Sequence, residues 1–233
     1  MADKVLTGWF AQTDAGQYVA EREQRFFLNS TNGLCADCVV QGALHDWPLW
    51  PQERVIRIGC DVHMDLAASA WAEQSVDLLL LPHALECSSR PDAVLAEAYR
   101  ALKPEGRLVL TGFNPHSLWR FSNWFDGDCL PEQKKCLPLP QVKKLAVALG
   151  FCVESGRFMV YVPAVKSGRA LRRWRFMEAA GDRWWPHAAA VYGLVLLKRR
   201  ANMRLRPEFE REAETENGMV LGVARAGYAE KAE

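Results

Sequence analysis

Residues 75–115 read SVDLLLLPHALECSSRPDAVLAEAYRALKPEGRLVLTGFNP. VDLLLL, from Val76, is a continuous apolar run broken only by Asp77, as expected of a strand buried on both faces in a parallel sheet. Pro91 stands at a first helical position, where its missing N–H costs nothing. Val94, Leu95, Ala98 and Leu102 then fall on one helical face. Lys103-Pro104-Glu105-Gly106 ends that helix, and RLVLTGF (107–113) follows as a second strand. Strand, helix, strand in this order predicts a crossover between parallel neighbours.

The same alternation extends outward. Pro140 opens another helix, with Val142, Leu145, Ala146 and Leu149 as its apolar stripe and Gly150 as its stop. FCVESGRFMVYV (151–162) and AVYGLVLLKRR (190–200) close the sheet. Toward the start, CVVQGAL (38–44) and RVIRIGC (54–60) read as strands. HDWPLWPQE between them is too proline-rich for a helix. Residues 16–28 suit an amphipathic helix, stopped by NSTNG at 29–33. The expected fold is an α/β, doubly wound, mostly parallel sheet with a compressed N-terminal half. Only 39 residues run from Cys38 to Val76, so a helix there is missing or reduced to a turn. Residues 1–206 form one domain with a basic insertion at about 164–187, and 207–233 a flexible tail rich in Glu, Ala and Gly.

Composition narrows the function classes. A net charge of +1 with 24% charged residues marks neither a nucleic-acid nor a membrane protein as a whole. The sum hides an asymmetry: 164–206 holds 11 Lys/Arg against Glu178 and Asp182, a charge of +9, leaving −8 elsewhere. The longest apolar run, 188–197, is half the roughly 20 residues of a bilayer span. MADKVLTGWF lacks a secretory pattern, and seven cysteines at scattered spacing read as reduced thiols, so a cytoplasmic protein is expected. Cys35-x-x-Cys38 would be half a zinc site or a redox pair. Cys129 and Cys136 have the wrong spacing to complete the first, and Cys38 enters a strand where redox motifs start a helix, so two ordinary thiols and no metal are expected.

Ser75, Asp77, Glu97, Arg100, Leu102, Pro104 and Gly106 stand in the order of the pattern S-x-D followed by E-x-x-R-x-L-x-P-x-G. This resembles the class I S-adenosylmethionine-dependent methyltransferases, specifically the methyltransferase type 11 pattern. Together with GQYVAERE near the start and the VYGLVLLKRR close, the stretch from about 9 to 200 resembles a bacterial subgroup with an atypical glycine loop. The resemblance implies a Rossmann-like sheet with S-adenosyl-L-methionine across the carboxyl ends of its strands. In the family the first strand ends in G-x-G-x-G, because only glycine lets the backbone approach a ligand so closely.

RVIRIGCD mimics that ending, but only 17 residues separate Gly59 from Asp77, too few for the intervening strands and crossovers. CVVQGAL is therefore the first strand, with Gly42 as its loop glycine, and RVIRIGCD the second. The resemblance then assigns Asp61 to the ribose hydroxyls and Asp65 to the adenine amine. It sets Pro82 and His83 among the cofactor-binding residues, at the methyl-transfer pocket, and Asn114 and His116 on the substrate side. His83 is either a general base or a hydrogen-bonded histidine in a strand-end turn. Asn114-Pro115-His116 follows the fifth strand, whereas the N-P-P-[YF] signature of amino-group methylases follows the fourth. Glu97 and Arg100, three apart on a helix, form an ion pair.

Two other functions fit the same residues. A pseudo-methyltransferase, a scaffold without catalysis, would have its pocket blocked near Gly42 by Trp47 or Trp50. An RNA-binding accessory module would use the basic 166–206 segment, with its Arg169, Arg172 and Arg173, for an anionic partner. A nicotinamide dehydrogenase is excluded by the absence of G-x-G-x-x-G.

Overall fold

In the 75–115 stretch, the run from Val76 forms β3 (Val76–Pro82) and the proline-started segment forms α4 (Pro91–Ala101). The second strand, β4, starts at Leu102 and runs to Phe113. The sequence reading ended the helix at Lys103 and gave Leu102 to its apolar stripe. Leu102 is instead the first residue of β4, fully buried and paired with Val76. The turn that permits this falls at Glu105 (φ 66°) and Gly106, where a Cβ would lie 2.8 Å from the Lys103 carbonyl oxygen. The computed structural model describes residues 2–52, 54–119, 136–163, 168–174 and 176–199. Residues 207–233, expected as a tail, lie outside them, and the compact unit ends at Arg199.

The remaining elements are α1 (Ala2–Gln12), α2 (Asp14–Thr31), β1 (Val39–Gly42), β2 (Ile56–Ile58), α3 (Ala84–Cys87), α5 (Leu139–Leu149), β5 (Phe151–Met159), α6 (Gly168–Trp174), α7 (Phe176–Trp184) and β6 (Val191–Lys198). The sheet runs in the order β2-β1-β3-β4-β6-β5. Its first four strands are parallel, and β6 pairs antiparallel with both β4 and β5. The sheet is the expected mostly parallel α/β sheet, with its N-terminal half shortened more than the residue count alone required. Among the described residues, 43–55 contain no helix and 59–75 neither helix nor strand.

What replaces the absent helix is a buried loop. Leu44, Trp47, Leu49 and Trp50 are all nearly inaccessible, and they join Val39, Leu78 and Leu80 in the core on that face of the sheet. Gln41, buried in β1, holds the loop by donating from Nε2 to the carbonyls of Leu44 (2.8 Å) and Trp47 (3.2 Å). The rest of this face is covered by α1 and α2. Leu6, Trp9 and Phe10 give α1 an apolar face at helical spacing, a signal that the sequence reading passed over. The second helix starts at Asp14, not residue 16, because the Thr13 hydroxyl caps it by accepting from the Gly16 N–H at 2.9 Å.

On the opposite face α4 and α5 pack over Val40, Leu79, Leu81, Leu108 and Leu110. Gly150 ends α5 in the left-handed region (φ 101°), as its position predicted. Lys198 at the end of β6 donates to the carbonyls of Tyr99 and Leu102 at 2.6 and 2.7 Å, satisfying acceptors where α4 gives way to β4. The Glu97–Arg100 pair is present at 2.8 Å, and Arg100 also donates to the Ser69 carbonyl, fastening the 59–75 loop to α4.

Candidate functional site at the carboxyl edge of the sheet

Strained backbone gathers along one edge. Of the six non-glycine residues with positive φ among the described residues, four follow the carboxyl ends of strands: Ala43 (62°) and Leu44 (40°) after β1, His83 (51°) after β3 and Val160 (66°) after β5. Gly59 (99°) follows β2 in the same region. Each such non-glycine residue costs roughly 1–2 kcal/mol and persists only where surrounding contacts impose it. The strand order also reverses here, since the chain leaves β1 toward β2 on one side and returns to β3 on the other. Open α/β sheets bind ligands at such a switch.

His83 is fully buried, with each ring nitrogen on a carboxylate: Nε2 on Glu23 Oε1 and Nδ1 on Glu86 Oε2, both at 2.8 Å. Desolvation pulls its pKa down, but the fields of Glu23 and Glu86 outweigh this and raise it to about 10. An imidazolium with both N–H groups donated has no lone pair for a substrate proton. The hydrogen-bonded histidine is thus the arrangement present, and its charge is fixed by helix α2. Glu86 also accepts from the Phe113 N–H, so one chain of bonds joins α2, the end of β3 and the end of β4. Phe113 and Phe10 pack on the imidazole ring, with centroids 4.3 and 5.3 Å away. Sequence reasoning missed Glu23 and Glu86 because they lie 60 and 3 residues from His83, and only folding brings Glu23 beneath it.

The other expected site residues are placed as follows. Gly42 ends β1 at the switch, and a Cβ there would lie 2.8 Å from both Leu66 Cδ2 and Leu81 Cδ2. Its close approach is therefore made by leucine side chains; the nearest atoms do not include Trp47 or Trp50. Asp61 is exposed and accepts from the Arg57 N–H at 2.8 Å across its own turn. Asp65 is exposed, accepts from the Ala67 N–H at 2.9 Å and has Arg90 Nη2 at 3.5 Å. Pro82 closes β3 opposite Thr111. Asn114 is buried and wholly committed to backbone: Nδ2 donates to the carbonyls of His187 and Ala189, and Oδ1 accepts from the His116 N–H. His116 is exposed on the turn that Asn114 holds.

Among the described residues, the buried polar atoms without a hydrogen-bond partner in the protein include Glu23 Oε2, Thr111 Oγ1, His45 Nδ1, Trp50 Nε1 and Arg57 Nε. His45 Nδ1 lies 3.9 Å from where a side chain on Gly59 would begin, between the turns after β1 and β2. Buried polar groups without partners are uncommon. Among the described residues there is no group of three or more His, Cys, Asp or Glu that could hold a metal ion.

The methyltransferase-domain family model matches residues 49–110, from the proline-rich loop to the middle of β4. This is a class I methyltransferase fold. The family match begins beyond Gly42, so the turn after β1 is outside it. A solved Haloferax volcanii protein designated a methyltransferase, in complex with the Trm112 methyltransferase activator, is 14% identical with a TM-score of 0.52. The alignment covers 84% of this chain and 98% of that one. A Bacillus halodurans protein, also designated a methyltransferase, is 11% identical with a TM-score of 0.50, covering 77% and 100%. At such identities these likenesses speak for the fold. Among curated proteins, the uncharacterized protein YafS of Escherichia coli is 47% identical over 47 residues, about a fifth of the length of each chain (20% and 20%).

Proposed function

We propose that this chain binds S-adenosylmethionine across the carboxyl ends of β2, β1 and β3 and transfers its methyl group to an acceptor. The observation that carries the reading is the turn after β1. Counted from Gly42, the G-x-G-x-G pattern puts its second glycine at position 44, where Leu44 holds left-handed backbone beside a left-handed Ala43, so the chain bears the strain of a glycine loop without the residue that relieves it. The unpartnered His45 Nδ1 and the exposed Asp61 and Asp65 supply polar groups beside that turn.

In this reading Asp61 receives the ribose hydroxyls and Asp65 the adenine amine. When bound, S-adenosylmethionine supplies an electrophilic methyl carbon on a sulfonium. The chain's own contribution is positioning and exclusion of water, which suffices for in-line transfer to a held nucleophile. His83 keeps α2 closed over the ends of β3 and β4 and sets a fixed positive charge between two carboxylates; it takes no proton. Pro82, Asn114 and His116 form the turns that face an acceptor, with Asn114 acting on the backbone of 187–189.

Isothermal titration of the full chain with S-adenosylmethionine and S-adenosylhomocysteine tests this reading. Heat with either ligand, weakened at least tenfold by Asp61→Ala, is the expected result. Absence of heat with both up to about millimolar ligand, an affinity worth only ~4 kcal/mol, refutes it. The packing of Leu66 and Leu81 against Gly42 favours a second reading in that event, a scaffold that keeps the sheet without the cofactor.

A further inference from the structure

The insertion between β5 and β6 is built as two short helices, α6 and α7, and it is where the described surface is most apolar. Trp174, Phe176, Trp184 and Trp185 are 40, 64, 69 and 60% exposed, four large aromatic side chains within 12 residues. On α7, Phe176, Ala180, Arg183 and Trp184 lie at helical spacing along one face. The opposite face is fixed to the body of the protein. A Cβ on Gly181 would fall 2.3 Å from the Tyr161 ring, and the Glu178 carboxylate accepts from the Tyr161 N–H and the Tyr18 hydroxyl. The aromatic face of α7 therefore points outward by construction. Trp174 and Phe176 also stack on one another at 5.8 Å.

The insertion is basic as well as aromatic, with Arg183 on the aromatic face of α7 and Arg169, Arg172 and Arg173 on α6. From 166 to 185 the sequence has six Lys/Arg against Glu178 and Asp182, and Arg169, Arg172, Arg173 and Arg183 are exposed. Solvated helices balance or dilute such a surface. Trp and Phe beside Arg is the composition that settles at the boundary between lipid headgroups and acyl chains, rings inward and guanidinium groups on phosphates. No described helix is long and apolar enough to cross a bilayer, so contact of this kind would be at the surface. RNA also takes Arg and aromatic residues. Its bases need rings presented singly in a groove, whereas Phe176 and Trp184 stand two helical turns apart along one convex helix face.

We propose that the α6–α7 insertion docks this protein on an anionic lipid surface, with Trp174, Phe176, Trp184 and Trp185 entering the interface and Arg172, Arg173 and Arg183 meeting lipid phosphates. The inference is independent of the cofactor reading, since none of these residues lies at the carboxyl ends of β1, β2 or β3. It requires two contributions at once, apolar and electrostatic, and each can be removed separately.

Co-sedimentation of the full chain with two kinds of vesicle tests it, one of phosphatidylcholine alone and one with about a quarter phosphatidylglycerol. The expected result is binding to the anionic vesicles with a blue shift of tryptophan emission, and little binding to the neutral ones. Arg172→Gln, Arg173→Gln and Arg183→Gln together should weaken partitioning roughly a hundredfold, about fivefold for each charge near the surface. Phe176→Ser with Trp184→Ser should abolish the residual binding and the blue shift while leaving the thermal transition in place, because both side chains are already exposed. Equal partitioning to both vesicles, no binding to either, or binding that the aromatic variant leaves unchanged would each overturn the proposal. So would tighter binding of single-stranded RNA that displaces the vesicles, which would make this surface an RNA site.

Discussion

Replacing the Glu23–His83–Glu86 cluster should make the stability of this protein respond to alkali in a calculable way. His83 is raised from an ordinary value near 6.5 to about 10 in the fold. A base held protonated stabilises fully below its unfolded pKa, and that stabilisation is lost as pH rises through the folded value. The stabilisation from the charge is then roughly 4–5 kcal/mol at pH 6, about 3 at pH 8 and under about 1 at pH 10. This agrees in size with the ~3–5 kcal/mol for breaking a buried ion pair. The reference is a variant with Glu23→Gln, His83→Gln and Glu86→Gln, which packs similarly and has nothing to titrate there. Urea unfolding of both proteins at pH 6, 8 and 10 should show the wild type losing about 4 kcal/mol relative to the variant across that range. Should the triple variant fail to fold, the His83 ring resonances of the wild type serve instead, and they should not titrate between pH 5 and 9. A stability difference flat from pH 6 to 10, or a His83 midpoint near 6.5, would refute the argument that two buried carboxylates hold the ring charged.

Three further outcomes follow from packing and hydrogen bonding. Gly193→Ala should destabilise by roughly 1–3 kcal/mol in denaturant titration, since the new methyl would sit 2.5 Å from the Phe26 ring where α2 crosses β6. Gln41→Leu should cost about 1–3 kcal/mol by leaving the buried Leu44 and Trp47 carbonyls short of a donor, and limited proteolysis should then cut the 43–55 loop sooner. Trp119→Phe keeps most of the buried ring but removes the Nε1 donor that meets the Val162 carbonyl at 2.7 Å, so a loss of about 1–3 kcal/mol is expected, with the sheet's circular dichroism unchanged.

The sequence by itself determined the α/β class and the mostly parallel sheet, while the antiparallel placing of β6 between β4 and β5 came only with the fold. Continuous apolar runs at Leu78–Leu81 and Leu108–Leu110, Pro91 and Pro140 at helix starts and Gly150 at a helix stop are local signals. They work because burial on both faces and backbone φ constrain residue type position by position. Leu6, Trp9 and Phe10 carried an equally local signal for α1, legible by the same spacing. Tertiary structure alone decided the character of the carboxyl edge. Whether His83 is a free base or a locked imidazolium depends on Glu23, 60 residues earlier, and on Glu86 answering the Phe113 N–H. Whether Gly42 faces a ligand or leucine depends on Leu66 and Leu81, brought there by a loop with no periodicity to read. The physical reason is range. Secondary structure follows from each residue's own conformational and solvation preferences, whereas the protonation and accessibility of a site depend on partners distant in sequence that only the folded chain brings within a few ångströms.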